Sequence, residues 1–250
     1  MKKLPSASVC AAAFSGPRRW PMSRSFTRRA LMALALLSLT AAAPAPETRF
    51  SPEIARFAEL DKATPPKPCG FLFTGSSSVR FWKSLDQDMA PHLVTNRGFG
   101  GSQIADVTLY FDQVVTPYRP RAIFFYAGEN DLNAGRTPEQ VVADFQAFLD
   151  RKDKTLGATK VYFIGLKPSK ARWDQFASQS QANAAIQALA ARRPDLDYVD
   201  VVPAMLEAGA PKDIFVADGL HMTPAGYVLW TQVIRPVVEH EAATGRPCPA

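Results

Sequence analysis

The chain has 250 residues, of which 47% are hydrophobic and 21% charged, a composition that excludes a disordered or fibrous protein and can build a sizeable core. Its formal net charge of +6 invites a nucleic-acid reading, but the placement of the charges excludes it. Lys2, Lys3, Arg18, Arg19, Arg24, Arg28 and Arg29 all precede residue 44; without those seven, 22 of the 29 basic residues remain against 23 acidic ones, a net −1 that predicts no nucleic-acid partner.

Residues 1–43 read as an export leader. Arg24, Arg28 and Arg29 precede an apolar run from Ala30 to Leu39. Thr40-Ala41-Ala42-Ala43 follows, and small residues there suit a signal peptidase. The run is shorter than the roughly 20 apolar residues of a membrane span, so no stable membrane anchor is expected once the leader is removed. Thr27-Arg28-Arg29-Ala30-Leu31-Met32 is similar to a twin-arginine signal, and Met22 is an alternative start. A periplasmic or secreted protein is expected. Cys10 falls in the leader, whereas Cys69 and Cys248 stand near the two ends of the remainder. An oxidising compartment permits a disulfide between them, since the ends of a domain are often close.

Residues 44–66 are expected to form a linker and an N-terminal helix, and residues 67–245 one domain. Ser51-Pro52-Glu53 opens a helix to about Ala63, with Ser51 at the N-cap and Pro at N1. Five short apolar runs then read as strands buried on both faces: Phe71–Phe73, Leu93–Thr95, Ala122–Tyr126, Val161–Ile164 and Tyr198–Val202. Helical patterns lie near 79–88, 102–115, 138–152, 174–193 and 224–241. The third opens on Thr137-Pro138, again a hydroxyl cap before proline. Such alternation gives an α/β fold with a parallel sheet covered on both sides, whose ligand site lies at the carboxyl ends of the strands.

The chemistry-bearing residues fall at those ends. Thr74-Gly75-Ser76-Ser77-Ser78 follows strand one, where a tight turn into a helix would expose a hydroxyl. Asn96-Arg97-Gly98-Phe99-Gly100-Gly101-Ser102 follows strand two, and its glycines let backbone approach a ligand closely. Gly128-Glu129-Asn130-Asp131 ends strand three, and an Asn there can donate to a developing oxyanion. Asp218-Gly219-Leu220-His221 precedes the last helix, with a carboxylate spaced to orient an imidazole. Of the other histidines, His240 lies in that helix beside Glu239 and Glu241, and His92 starts strand two, at the wrong end of the sheet.

Together the four blocks resemble the SGNH (GDSL-like) hydrolases, named for Ser, Gly, Asn and His. That family's first block is usually Gly-Asp-Ser, so Gly75-Ser76-Ser77 makes Ser77 the nucleophile, with Ser76 standing where the family has Asp. The resemblance implies a Ser77–Asp218–His221 triad and an oxyanion hole from Ser77, Gly101 and Asn130. It further implies a flavodoxin-like three-layer α/β/α sandwich with a five-stranded parallel sheet. The implied activity is esterase chemistry through an acyl-enzyme, with no cofactor or metal, on a small-molecule acyl ester; separately, a monomer is expected. Lysophospholipase, thioesterase, short-chain carboxylesterase and carbohydrate O-deacetylase activities all fall within it. Arg172 and Trp173, after strand four, are candidates for the pocket lining and equally for surface and core positions. Two rivals come from other classes: a flavin-binding electron carrier, which leaves Asn130 and Asp218/His221 unexplained, and a catalytically inactive lipid- or glycan-binding domain.

Overall fold

The computed structural model describes residues 48–246 and 248; the leader read from residues 1–43, with Cys10, lies outside them. Five strands form one parallel sheet: β1 (Phe71–Gly75), β2 (Val94–Gly98), β3 (Ala122–Tyr126), β4 (Lys160–Ile164) and β5 (Leu196–Val199). Their spatial order is β2-β1-β3-β4-β5, in parallel register throughout. The order reverses at β1, which lies between β2 and β3, and in such sheets ligands bind outside the strands' carboxyl ends at that switch point.

Alternation along the strands builds two cores. Leu72, Ile123, Phe125, Val161, Phe163 and Leu196 face the first. It is closed by α1 (Ser51–Ala63), α4 (Ile104–Leu109), α5 (Phe111–Val114), α7 (Pro138–Leu156) and α8 (Phe176–Ala190), which supply Ile54, Val107, Phe111, Phe148 and Ile186 among others. Phe71, Phe73, Phe124, Tyr126, Tyr162 and Ile164 face the second. That side is closed by α2 (Ser77–Arg80), α3 (Leu85–Asp88), α9 (Val202–Met205) and α10 (Pro224–Ala243). Helices on both faces of a parallel sheet make the three-layer α/β/α sandwich that the alternation predicts. No helix among the described residues is long and apolar enough to cross a membrane.

Several boundaries differ from the sequence reading for local reasons. Phe50, not Ser51, is the N-cap of α1; the Ser51 hydroxyl instead accepts from the Thr48 N–H at 2.9 Å and bonds the Tyr110 hydroxyl at 3.1 Å. The stretch 79–88 splits into α2 and α3, because Trp82 turns inward between Phe73, Tyr227 and Trp230. Asp88 then ties the break, accepting from the Trp82 indole at 2.6 Å and the Ser84 hydroxyl at 2.7 Å. The stretch 102–115 breaks at Tyr110. Strand five runs earlier than expected, since the Asp200 carboxylate accepts from the Val202 N–H at 3.1 Å and turns the chain into α9. The Thr137 cap of α7 forms as the sequence predicts, within a reciprocal capping box with Gln140.

A disulfide joins Cys69, just before β1, to Cys248, after α10, with 5.4 Å between their Cα atoms. Two short strands, β6 (Leu206–Glu207) and β7 (Ala210–Pro211), form an antiparallel hairpin that the sequence reading lacks. Its turn, Ala208-Gly209, has positive φ at both residues.

Candidate active site

Gly75 sets the first turn. Its φ is +127°, and a Cβ there would sit 1.9 Å from the Tyr126 carbonyl oxygen, so only glycine lets β1 lie this close to β3. Ser76 follows as the N-cap of α2, its N–H donating to Tyr126 O at 2.7 Å. Ser77 is then the first helical residue. Three hydroxyls stand in a row, but Ser76 and Ser78 are 2% and 3% exposed, whereas Ser77 is only partly buried. Accessibility singles out Ser77.

The glycine-rich turn after β2 packs against this helix. A Cβ on Gly98 would lie 2.5 Å from the Arg80 backbone nitrogen, so glycine is required for α2 to approach. Asn96 satisfies the end of α2, donating to Val79 O at 2.7 Å and accepting from Gly98 N–H at 3.0 Å. Ser102 donates its hydroxyl to Gly75 O at 3.1 Å, which sews this turn to the end of β1. From the other side, α1 holds it through Glu53, which accepts from Gly100 N–H at 3.2 Å and pairs with Arg80 at 2.5 Å.

Beyond β3, the short helix α6 (Glu129–Asn133) carries the third block. The Asn130 amide donates to Ser102 O at 3.0 Å, which places it against the residue next to Gly101. Asp131 is buried and accepts from Ile104 N–H at 3.1 Å, holding the start of α4. Burial raises its carboxyl to about 6, with the Ile104 N–H opposing.

The segment before α10 supplies the rest. Asp218 Oδ1 accepts from the N–H groups of Leu220 and His221 at 2.8 and 2.9 Å, and Oδ2 lies 2.5 Å from His221 Nδ1. His221 Nε2 lies 2.9 Å from Ser77 Oγ. The imidazole meets the Phe81 ring edge to face, with centroids 4.9 Å apart. Desolvation pushes the Asp218 carboxyl up, but the hydrogen bonds from the His221 side chain and the two backbone N–H groups outweigh it and hold it at about 2. With a carboxylate on Nδ1, the proton rests there and Nε2 is left to accept from the serine.

The sequence-predicted residues Ser77, His221 and Asp218 thus lie in one hydrogen-bonded line, and Asn130 and Gly101 are joined through Ser102. His92 lies elsewhere, against Phe71 at the start of the sheet, and His240 is exposed in the last turn of α10. Sequence reasoning missed a buried network beside the site. Lys167, fully buried after β4, donates to both Glu129 oxygens at 3.2 Å and to Leu220 O at 3.0 Å. Tyr126 donates its hydroxyl to Glu129 as well. Burial lowers the Lys167 ammonium from its ordinary value, with Glu129 opposing. Its only sequence signal is a lysine three residues past the end of β4, which reads as a solvated end.

The profile of the GDSL-like Lipase/Acylhydrolase family matches residues 69–229. No curated protein matches the chain in sequence. Among solved structures, one from Streptococcus pneumonia carrying the name platelet activating factor is 21% identical, over 75% of this chain and 92% of its own, with a TM-score of 0.67. A GDSL-like lipase from Bacteroides thetaiotaomicron is 18% identical over 75% and 97%, with a TM-score of 0.64. An acetyl-xylooligosaccharide esterase from Geobacillus Stearmophilus is 13% identical over 68% and 94%, with a TM-score of 0.55.

Proposed function

Because the chain belongs to the GDSL-like lipase/acylhydrolase family, a group of ester-hydrolysing SGNH-type enzymes, we propose that it is a serine esterase whose triad is Ser77, His221 and Asp218. The observation that carries this reading is the continuous line from Ser77 Oγ through His221 to Asp218, with links of 2.9 and 2.5 Å.

In the first step, His221 Nε2 takes the Ser77 proton while Oγ attacks the ester carbonyl carbon. The carbonyl electrons move onto oxygen, and the N–H groups of Ser77, Gly101 and the Asn130 side chain receive that charge. His221 then returns the proton to the departing alcohol, leaving an acyl-serine. Water, deprotonated by the same imidazole, attacks the acyl carbon; the bond from that carbon to Ser77 Oγ then breaks, Oγ takes the proton back from His221, and the acid leaves. Asp218, ionised down to about pH 2, stabilises the imidazolium formed in each half.

Short acyl groups are the favoured substrates, because Ser77 and His221 are both partly exposed and Phe81 offers one apolar wall beside the imidazole. Acetylated carbohydrates form a second reading, favoured by Trp173, which is 37% exposed and stacks one face on Phe176; its other face suits stacking on a sugar. A panel of p-nitrophenyl esters of rising chain length, a lysophospholipid and acetylated xylooligosaccharides separates the classes. Fastest turnover of long acyl chains would overturn the short-chain reading.

Export is part of the proposal. It is supported by the basic-then-apolar leader in residues 1–43 and by the Cys69–Cys248 disulfide, a bond that persists in oxidising compartments. N-terminal sequencing from the native host tests it, with a start between about residues 41 and 47 expected.

A further inference from the structure

The segment after β4 carries none of the four residues that name the family, yet it touches both halves of the site. Lys167 Nζ donates to Leu220 O and Ala171 N–H to Gly219 O, each at 3.0 Å, so it grips the loop that bears Asp218 and His221. The neighbouring Arg172 reaches the other half, its guanidinium donating to Asn130 Oδ1 at 3.0 Å. Arg172 leaves helical geometry inside the 3-10 stretch Lys170–Gln175, at φ −130° and ψ 31°. Among the described residues no carboxylate pairs with it.

A side-chain amide has one accepting atom and two N–H donors, a guanidinium only donates, and a backbone carbonyl only accepts. Asn130 sits between one of each: Arg172 on Oδ1 and Ser102 O on Nδ2. One orientation satisfies both neighbours. A flipped amide would set donor against donor and oxygen against oxygen. In the satisfied orientation one Nδ2–H goes to Ser102 and the second stays available. A positive charge on the amide oxygen also polarises the group and strengthens its N–H donors.

We propose that Arg172 is a positioning residue for ester hydrolysis: it locks the Asn130 amide so that its second N–H meets the oxyanion, and it sharpens that donor. The proposal rests on the reading of Asn130 as an oxyanion donor. An oxyanion contact strengthens as charge develops, so its loss falls on kcat rather than KM.

The test uses the uncharged substrates p-nitrophenyl acetate and butyrate, which offer Arg172 no anion to bind. Arg172→Met, which keeps the apolar stem, should lower kcat roughly tenfold or more at nearly unchanged KM, and Arg172→Lys should recover part of the loss. Placed in an Asn130→Ala background, Arg172→Met should lower kcat less than about twofold further, because the two residues act as one unit. Thermal melting of each variant controls for folding. A rise in KM with kcat intact, or an undiminished loss in the Asn130→Ala background, overturns the role of Arg172 while leaving the esterase reading standing. If Asn130→Ala alone keeps full kcat, the oxyanion reading falls and the Arg172 proposal with it.

Discussion

The ammonium of Lys167 lies 3.0 Å from the carbonyl oxygen of Leu220, the residue between Gly219 and His221. A fully buried cation thus holds the backbone of the Asp218–His221 loop, and Glu129, adjacent to Asn130, supplies its counter-charge. Removing one partner of a buried pair leaves an uncompensated charge and costs roughly 3–5 kcal/mol. Lys167→Met and Glu129→Gln should each destabilise by about that amount in urea unfolding. The combined variant, with neither charge, should recover much of the stability yet remain slower than wild type, because the loop has lost its tether.

Ser77→Ala should leave a folded protein and lower ester hydrolysis about ten thousand-fold or more. His221→Ala should match it, and the pair should add little to either alone. Ser76→Ala is the control, since that hydroxyl is 2% exposed; it should retain substantial turnover of p-nitrophenyl acetate. A dead Ser76→Ala beside an active Ser77→Ala would mean that the first block is aligned one residue out.

The depressed carboxyl of Asp218, at about 2, gives a pH expectation. A lowered carboxylate contributes above its unfolded value and is lost only as pH falls through the folded one. Protonation of Asp218 therefore contributes to loss of activity only near pH 2. Asp218→Asn should lower kcat across the whole pH range, by up to about ten thousand-fold, because the imidazole loses the carboxylate that fixes its tautomer. Rates measured from pH 4 to 9 check this.

Asp131 behaves in the opposite sense. Burial raises it to about 6, above its unfolded value, so its charged form is the one that folding disfavours. The penalty is fully present above pH 6 and relieved as pH falls toward 4, a change on the order of 2–3 kcal/mol. Asp131→Asn keeps an acceptor for the Ile104 N–H. It should raise the melting midpoint at pH 7.5 and flatten the dependence of stability on pH between about 4 and 6.5. Calorimetry at several pH values reads both.

Parts of the molecule were legible in the sequence because their signals are local. The short, aromatic-rich apolar run Ala122–Tyr126 reads as a strand buried on both faces, and Thr137-Pro138 announces a helix start. The blocks at Gly75–Ser77, Asn96–Gly101 and Gly128–Asp131 could be found by the same logic, since they end β1, β2 and β3, whereas Asp218–His221 precedes α10 and was joined to them by the family resemblance. The split at Trp82 was not legible, because it depends on Phe73, Tyr227 and Trp230 closing around one indole. Lys167 was missed for a similar reason. A lysine after a strand reads as solvated until Glu129, 38 residues away, and Leu220, 53 residues away, converge on it.

The Cys69–Cys248 bridge closes a covalent ring that holds β1 to β5, the glycine-rich turn and the His221 loop, whereas α1 stays outside it. Tension applied at the two ends of the oxidised chain would bypass the sheet and travel through the sulfur–sulfur bond. What such a pull can peel away is α1, with its Phe50 and Ile54 anchors and the Arg97–Asp61 ion pair. The ring also hides a single protease cut on a denaturing gel run without reductant: the two pieces of a molecule nicked between residues 69 and 248 part only after the disulfide is reduced.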